Sequence, residues 1–226
     1  MGDGQLRGVL WDMDGTLVNT EPRWIDGQRL LASEFDVIWT EEDSLSTVGK
    51  PMPVSAAKLR ERGVSLTVEE IIDRQLAHVV ASLTDGIPWL PGARELLVAV
   101  RDAGIPCALV TMAYRPVAER VAAGAPKGTF VAVVAGDDVT HGKPHPEPYL
   151  TGAVRIGVDP SACVAVEDTL NGTLSAEAAG CAMLTVRGVT PVPPAPGRSR
   201  VGSLTEISLA DLERIVRGEV IDTLVG

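Results

Sequence analysis

The chain has 226 residues, 45% of them apolar and 22% charged, with a formal net charge of −10. With a mean hydropathy of +0.17 it can bury a sizeable core, which excludes a wholly disordered chain. It has no Lys/Arg run of the kind nucleic acid requires, no apolar run near the roughly 18 residues of a membrane span, and no basic or apolar region of a signal peptide at its start, so a cytoplasmic protein with neither nucleic acid nor membrane as partner is expected.

In chain order, residues 7–11 form a short apolar run that stops at Asp12-Met13-Asp14-Gly15, the pattern of a buried strand ending in a turn. Residues 18–89 show helical periodicity and no convincing strand. Trp24, Leu31 and Phe35 fall near one helical face, and Thr67 with Glu70 makes a capping-box pattern before Ile71, Ile72, Leu76 and Val79. This segment, with a net charge of −5, is expected to be a small helical domain inserted after the first strand, with hinges near 18–22 and 87–92 and with Trp24, Trp39 and Trp89 in its core. From residue 90 onward, helices at 93–103, 116–123, 148–156 and 171–179 alternate with apolar runs at 106–110, 130–134, 162–166 and 181–186. Gly104, Gly124, Gly157 and Gly180 stand as helix stops. Residues 190–200 are proline-rich and predict an extended surface loop, and a last helix over 209–216 follows an N-cap at Ser208. Cys107, Cys163 and Cys181 lie in apolar runs and predict buried thiols. Strands alternating with helices imply parallel β-α-β units, hence an α/β fold with a Rossmann-like parallel sheet covered on both faces. The expected division is 1–17 with 90–226 as the α/β core, and 18–89 as the insert.

Ligands of open α/β sheets bind beyond the carboxyl ends of the strands. The polar residues that end these runs therefore form one candidate constellation: Asp12 and Asp14 after the first, Thr111 after the second, Lys143 in the loop beyond the third, and Glu167 with Asp168 after the fourth. Four acids and one lysine in a crevice cannot all stay ionised without a cation, and a hard divalent ion such as Mg²⁺ suits oxygen ligands. An Asp-x-Asp-Gly segment alone is most often a turn or part of a calcium loop, but Leu17 and Val18 do not supply the further ligands that a calcium loop needs.

Asp12-Met13-Asp14-Gly15-Thr16-Leu17, then Thr111, then Gly142-Lys143-Pro144, then Glu167-Asp168-Thr169 with Asn171-Gly172, resemble the four motifs of the haloacid dehalogenase-like hydrolases, in the family's order. The insert resembles the small helical cap of the beta-phosphoglucomutase and phosphoglycolate phosphatase branch. The resemblance implies Asp12 as nucleophile, forming an aspartyl-phosphate, and Asp14 as general acid and base. It also implies Mg²⁺ held by Asp12, Asp14 through its backbone carbonyl, Asp168 and Glu167. Thr111, Lys143 and backbone N–H groups near Met112 and Asn171 would hold the phosphate. The family's dehalogenases have no need of an acid at Asp14, so the resemblance implies a phosphatase of a small phosphorylated metabolite, a sugar phosphate or something like phosphoglycolate, working as a monomer or weak dimer. A sugar phosphomutase is the runner-up, and a non-catalytic phosphate-binding protein, which should lack Asp12 or Asp14, is the alternative of another class. Lys50, in Gly49-Lys50-Pro51, is the cap candidate for touching substrate. Met112 stands where relatives usually carry a small polar residue. His141 and His145 flank Lys143; between Pro144 and Pro146 they are not on a helix, so loop-shaping or solvent exposure is expected of them rather than metal ligation.

Overall fold

In the computed structural model, which describes residues 4–48 and 50–224, the chain forms two compact units. One comprises the described residues up to Asn19 and from Trp89 onward; the other is Thr20–Pro88. The larger unit opens with β1 (Gly8–Trp11). The smaller unit is helical, built of α1 (Glu21–Ser33), α2 (Glu41–Leu45), α3 (Met52–Glu61) and α4 (Val68–Ser82). The larger unit then resumes with α5 (Ala93–Asp102), β2 (Cys107–Val110), α6 (Arg115–Gly124), β3 (Phe130–Val134) and α7 (Glu147–Ile156). It ends with β4 (Cys163–Glu167), α8 (Leu170–Ala178), β5 (Ala182–Val186), β6 (Arg198–Val201) and α9 (Leu209–Val216). Among the described residues, no helix is long and apolar enough to cross a membrane.

The six strands form one parallel sheet in the order β3-β2-β1-β4-β5-β6. Every residue of β1, β2 and β4 is buried, because helices cover both faces of a parallel sheet. Leu10, Ala108, Val110 and Ala165 pack on Tyr149 and Ala153 of α7 and Ala176 of α8. Strand alternation turns Val9, Trp11, Leu109, Val164 and Val166 to the other face. The chain runs outward from β1 in both directions, so the order reverses between β1 and β4, where such sheets place their ligands. Cys107, Cys163 and Cys181 are buried free thiols.

In the smaller unit α4 packs against α1 and α3. Thr67 accepts from the Glu70 N–H while Glu70 accepts from the Thr67 N–H, so both ends of the α4 capping box are satisfied. Leu31, Trp39, Leu59, Ile71, Leu76, Val79 and Leu83 are buried there. Asp43, also buried, accepts from the Thr40 N–H and hydroxyl and from Arg62, and pairs with Lys58. Burial opposes its ionisation, but these donors outweigh it and hold the carboxyl well below the usual range.

Four local expectations need correction. Trp89, expected in the core of the insert, belongs to the larger unit and is half-buried. The loop expected at 190–200 ends in a sixth strand, β6, whose Arg-Ser-Arg-Val sequence carries no apolar run. Charge pairing holds it instead: Arg198 donates to Glu177 and Arg200 to Asp222, and the strand sits at the sheet edge, where charged side chains are tolerated. Gly124 is not a left-handed stop but the last residue of α6; Ala125 is extended ahead of Pro126, and proline disfavours helical backbone in the residue before it. The buried face of α1 is Gly27, Gln28, Leu31 and Ala32, whereas Trp24 is half-buried and Phe35 lies beyond the helix end.

Candidate active site

Asp12 continues β1, its N–H donating to the Val166 carbonyl at 2.9 Å, so the ends of β1 and β4 lie side by side. That register sets Asp12 beside Glu167 and Asp168; all three are buried, and ligand oxygens from each lie within 4.8 Å of one another. Lys143 reaches into the group from the loop after β3. Its Nζ donates to Asp12 Oδ1 at 2.6 Å, to Glu167 Oε1 at 2.5 Å and to the Val110 carbonyl at 2.9 Å. Burial opposes the charge on Lys143, yet Asp12 and Glu167 outweigh it and push its pKa up.

One ammonium does not balance three buried carboxylates. The carboxyls of Asp12 and Asp168 are pushed well up, first by burial and then by the neighbouring acids. A hard divalent cation would relieve that repulsion, and an all-oxygen donor set fits Mg²⁺. Glu167 is differently placed from the two aspartates. Its Oε1 accepts from Lys143 and from the Tyr149 hydroxyl at 2.8 Å, and its Oε2 accepts from the Asp168 N–H, the Thr169 N–H and the Thr169 hydroxyl. Five donors exceed the four lone-pair sites of a carboxylate. Glu167 thus lies inside the group but is saturated by protein donors. Asp12 and Asp168 share one weaker donor, the Thr16 hydroxyl, at 3.2 and 3.3 Å.

Two glycines make the close approaches possible. Gly15 adopts φ +83°, a left-handed conformation that side chains resist, and a Cβ there would collide with the Asp168 carboxylate. A Cβ on Gly172, in the first turn of α8, would overlap the Glu167 carboxylate. Thr169 caps that helix by accepting from the Gly172 N–H, which turns the chain directly from the acidic pair into α8.

The remaining expected residues fall around this cluster or away from it. Thr111 follows β2; its hydroxyl accepts from the Ala113 N–H and donates to Asp14 over 3.4 Å. Asp14 is half-buried, and its carboxylate is not among the three grouped acids. The Met112 side chain lies over Gly142, where any Cβ would crowd its Cε, so the lack of a side chain at 142 makes room for a methionine. Asn171 is exposed on α8. Lys50 is exposed in the smaller unit, and Gly49 of the same turn lies outside the described residues.

A model of the haloacid dehalogenase-like hydrolases matches residues 6–180. The chain belongs to that family. It is 34% identical to hexitol phosphatase A of Escherichia coli over 191 residues, covering 84% of this chain and 87% of that one. With hexitol phosphatase B of the same organism it is 28% identical over 219 residues, covering 92% and 97%. Among solved structures, that of CbbY from Rhodobacter sphaeroides in complex with phosphate matches with a TM-score of 0.82 at 27% identity, over 92% of this chain and 100% of that one.

Two residues of the site, Thr16 and Tyr149, carry only a faint signal in the sequence. Thr16 sits inside the first motif, and its signal is its hydroxyl, four residues from Asp12 in a tight turn and well placed to bond it. Tyr149 was missed because it counts as apolar on the buried face of α7, which also carries Gly152 and Ala153. The available signal was its hydroxyl, since a buried tyrosine needs a polar partner.

Proposed function

We propose that this hydrolase is a Mg²⁺-dependent phosphatase of a small phosphorylated metabolite, of the sugar, polyol or phosphoglycolate kind, and that it works through an aspartyl-phosphate on Asp12. The observation that carries the reading is Lys143 Nζ held 2.6 Å from Asp12 Oδ1 within a buried carboxylate group at the sheet's reversal point. Lys143 favours the anionic form of Asp12 against the burial that raises its pKa, and offers its charge to an incoming phosphoryl oxygen. An Asp12 oxygen attacks phosphorus, and the bond to the leaving oxygen breaks as Asp14 gives that oxygen a proton. Water then attacks phosphorus, Asp14 takes its proton, and the bond to Asp12 breaks to release inorganic phosphate.

The Thr111 hydroxyl, with Lys143 and the backbone N–H groups near Met112 and Asn171, would steady the phosphoryl oxygens. Asp12 and Asp168 would hold Mg²⁺, with the Asp14 carbonyl, while saturated Glu167 would act by fixing Lys143. When bound, Mg²⁺ shields the nucleophile from the phosphate's charge and draws charge from the phosphoryl group. The unit Thr20–Pro88 is proposed as the cap, with Lys50 its candidate for touching the leaving group.

The test is a panel of hexitol phosphates, sugar phosphates and phosphoglycolate, with inorganic phosphate as readout. Steady release that stops on adding a chelator and returns with Mg²⁺ is expected. No release from any of them, or release indifferent to the chelator, would refute the reading. Supplying β-glucose 1-phosphate with a trace of glucose 1,6-bisphosphate separates the mutase: formation of glucose 6-phosphate with little free phosphate would make the protein a phosphomutase. The net charge of −5 on residues 18–89, poor in groups to hold a second phosphate, supports hydrolysis instead.

A further inference from the structure

The loop that carries Lys143 holds a second group of possible ligands on its outer side. His141 and His145 are side by side, ring centroids 4.6 Å apart, although prolines keep the segment from being a helix. The His145 N–H donates to the Gly142 carbonyl at 3.0 Å, folding the loop back so that residues four apart meet as they would on a helix. Glu147, the first residue of α7, closes the group. Its Oε2 is 3.0 Å from His141 Nδ1 and 4.0 Å from His145 Nδ1. One ligand atom from each of the three residues lies within 4.8 Å of the others.

We propose that His141, His145 and Glu147 form a binding site for a transition-metal ion of the Zn²⁺ class, distinct from the carboxylate cluster that would take Mg²⁺. Two imidazoles and one carboxylate are a borderline-soft donor set that Zn²⁺ accepts readily and Mg²⁺ and Ca²⁺ do not. The spacing suits it: ligands about 2.0–2.2 Å from a tetrahedral Zn²⁺ lie about 3.3–3.6 Å from one another, between the two distances the carboxylate now keeps to the rings. The donors are also held in place from behind. Glu147 Oε1 accepts from the Thr140 N–H at 2.8 Å and Oε2 from the His141 N–H at 2.9 Å, while the Ser175 hydroxyl pins the His145 carbonyl at 2.6 Å. Such outer hydrogen bonds orient a ligand before the ion arrives.

The imidazoles are 63% and 50% exposed, so an ion enters from solvent without opening the core. It would replace two local hydrogen bonds, one between His141 Nδ1 and Glu147 and one from the Glu147 N–H to His145 Nδ1. The fourth tetrahedral position stays with water. Because Lys143 lies between the two histidines, a bound ion would clip together the two ends of the turn that presents it.

The test uses tag-free full-length protein in millimolar Mg²⁺, which occupies the carboxylate cluster. Zn²⁺ is titrated against a chromophoric chelator, and amide exchange is followed by mass spectrometry. One equivalent of Zn²⁺ is expected to bind and to slow exchange over 140–147. His141→Ala and His145→Ala, both exposed and so harmless to folding, are each expected to weaken binding by about tenfold or more. Asp12→Asn should leave it unchanged. The proposal is overturned if the His141→Ala/His145→Ala double variant binds Zn²⁺ as tightly as the parent, if Asp12→Asn abolishes the binding, or if bound Zn²⁺ leaves exchange over 140–147 unaltered.

Discussion

Lys143 would do little as a lone surface lysine; its environment gives it a task. Asp12, Glu167 and the Val110 carbonyl fix all three of its protons, and its Nζ lies 4.9 Å from the Tyr149 ring centroid. Tyr149→Phe removes one donor from a buried carboxylate and should destabilise the fold by about 1.5–3 kcal/mol, read by denaturant unfolding. Since the other four donors remain on Glu167, kcat/KM should fall by less than about tenfold; a loss as large as that of Asp12→Asn would give Tyr149 a direct part in the chemistry. Asp14→Ala should separate substrates by leaving group. Alkyl phosphates, whose alkoxide needs the proton, should lose far more rate than aryl phosphates, whereas equal losses would remove Asp14 from the role of acid. At this scale the grouping of Asp12, Glu167 and Asp168 was legible because polar residues that end apolar runs stand out, and Lys143 because it lies in the loop beyond the third run. Tyr149 and the saturation of Glu167 were not, since both arise from contacts between residues distant in sequence.

The elements were legible to the extent that burial drives them. Strand β3 and helix α9, with its Ser208–Asp211 capping box, fall where apolar runs and caps put them. Strand β6 was hidden because ion pairs rather than apolar side chains secure it, and the end of α6 because proline rather than glycine sets it. In the helical unit, Asp43 joins the N-cap of α2 to α3 and the residue after it, through Lys58 and Arg62. Its folded pKa lies below the unfolded one, so its contribution is present above the ordinary value of about 3.9 and is lost as pH falls through the folded value. Thermal stability should therefore fall in the parent as pH drops below about 4. In Asp43→Asn the midpoint at neutral pH should drop and this acid dependence should flatten. An unchanged acid limb in the variant would show that other carboxylates govern it.

For the molecule as a whole, the buried acids Asp12, Glu167 and Asp168 are a liability unless a cation balances them. Asp12 and Asp168 retain protons in the folded state that the unfolded chain has released, so the folded state binds more protons and stability falls as pH rises above about 4. On the proposed reading, Mg²⁺ would replace those protons and bind only the folded form. The melting temperature without metal should thus decline toward alkaline pH, and the rise on adding Mg²⁺ should be larger at pH 8 than at pH 5; a rise independent of pH would mean that Mg²⁺ binds elsewhere. The chain's family and the division of labour around Asp12 lead to one decisive experiment. In a single turnover with a phosphate-labelled substrate, the enzyme is quenched in acid and digested, and the labelled peptide is sequenced. The label should appear transiently on Asp12, should persist longer in Asp14→Ala with an aryl phosphate, and should be absent from Asp12→Asn, whose turnover falls by roughly four powers of ten or more. Full-rate release of phosphate with no label on the protein, or label on any other residue, would contradict the account.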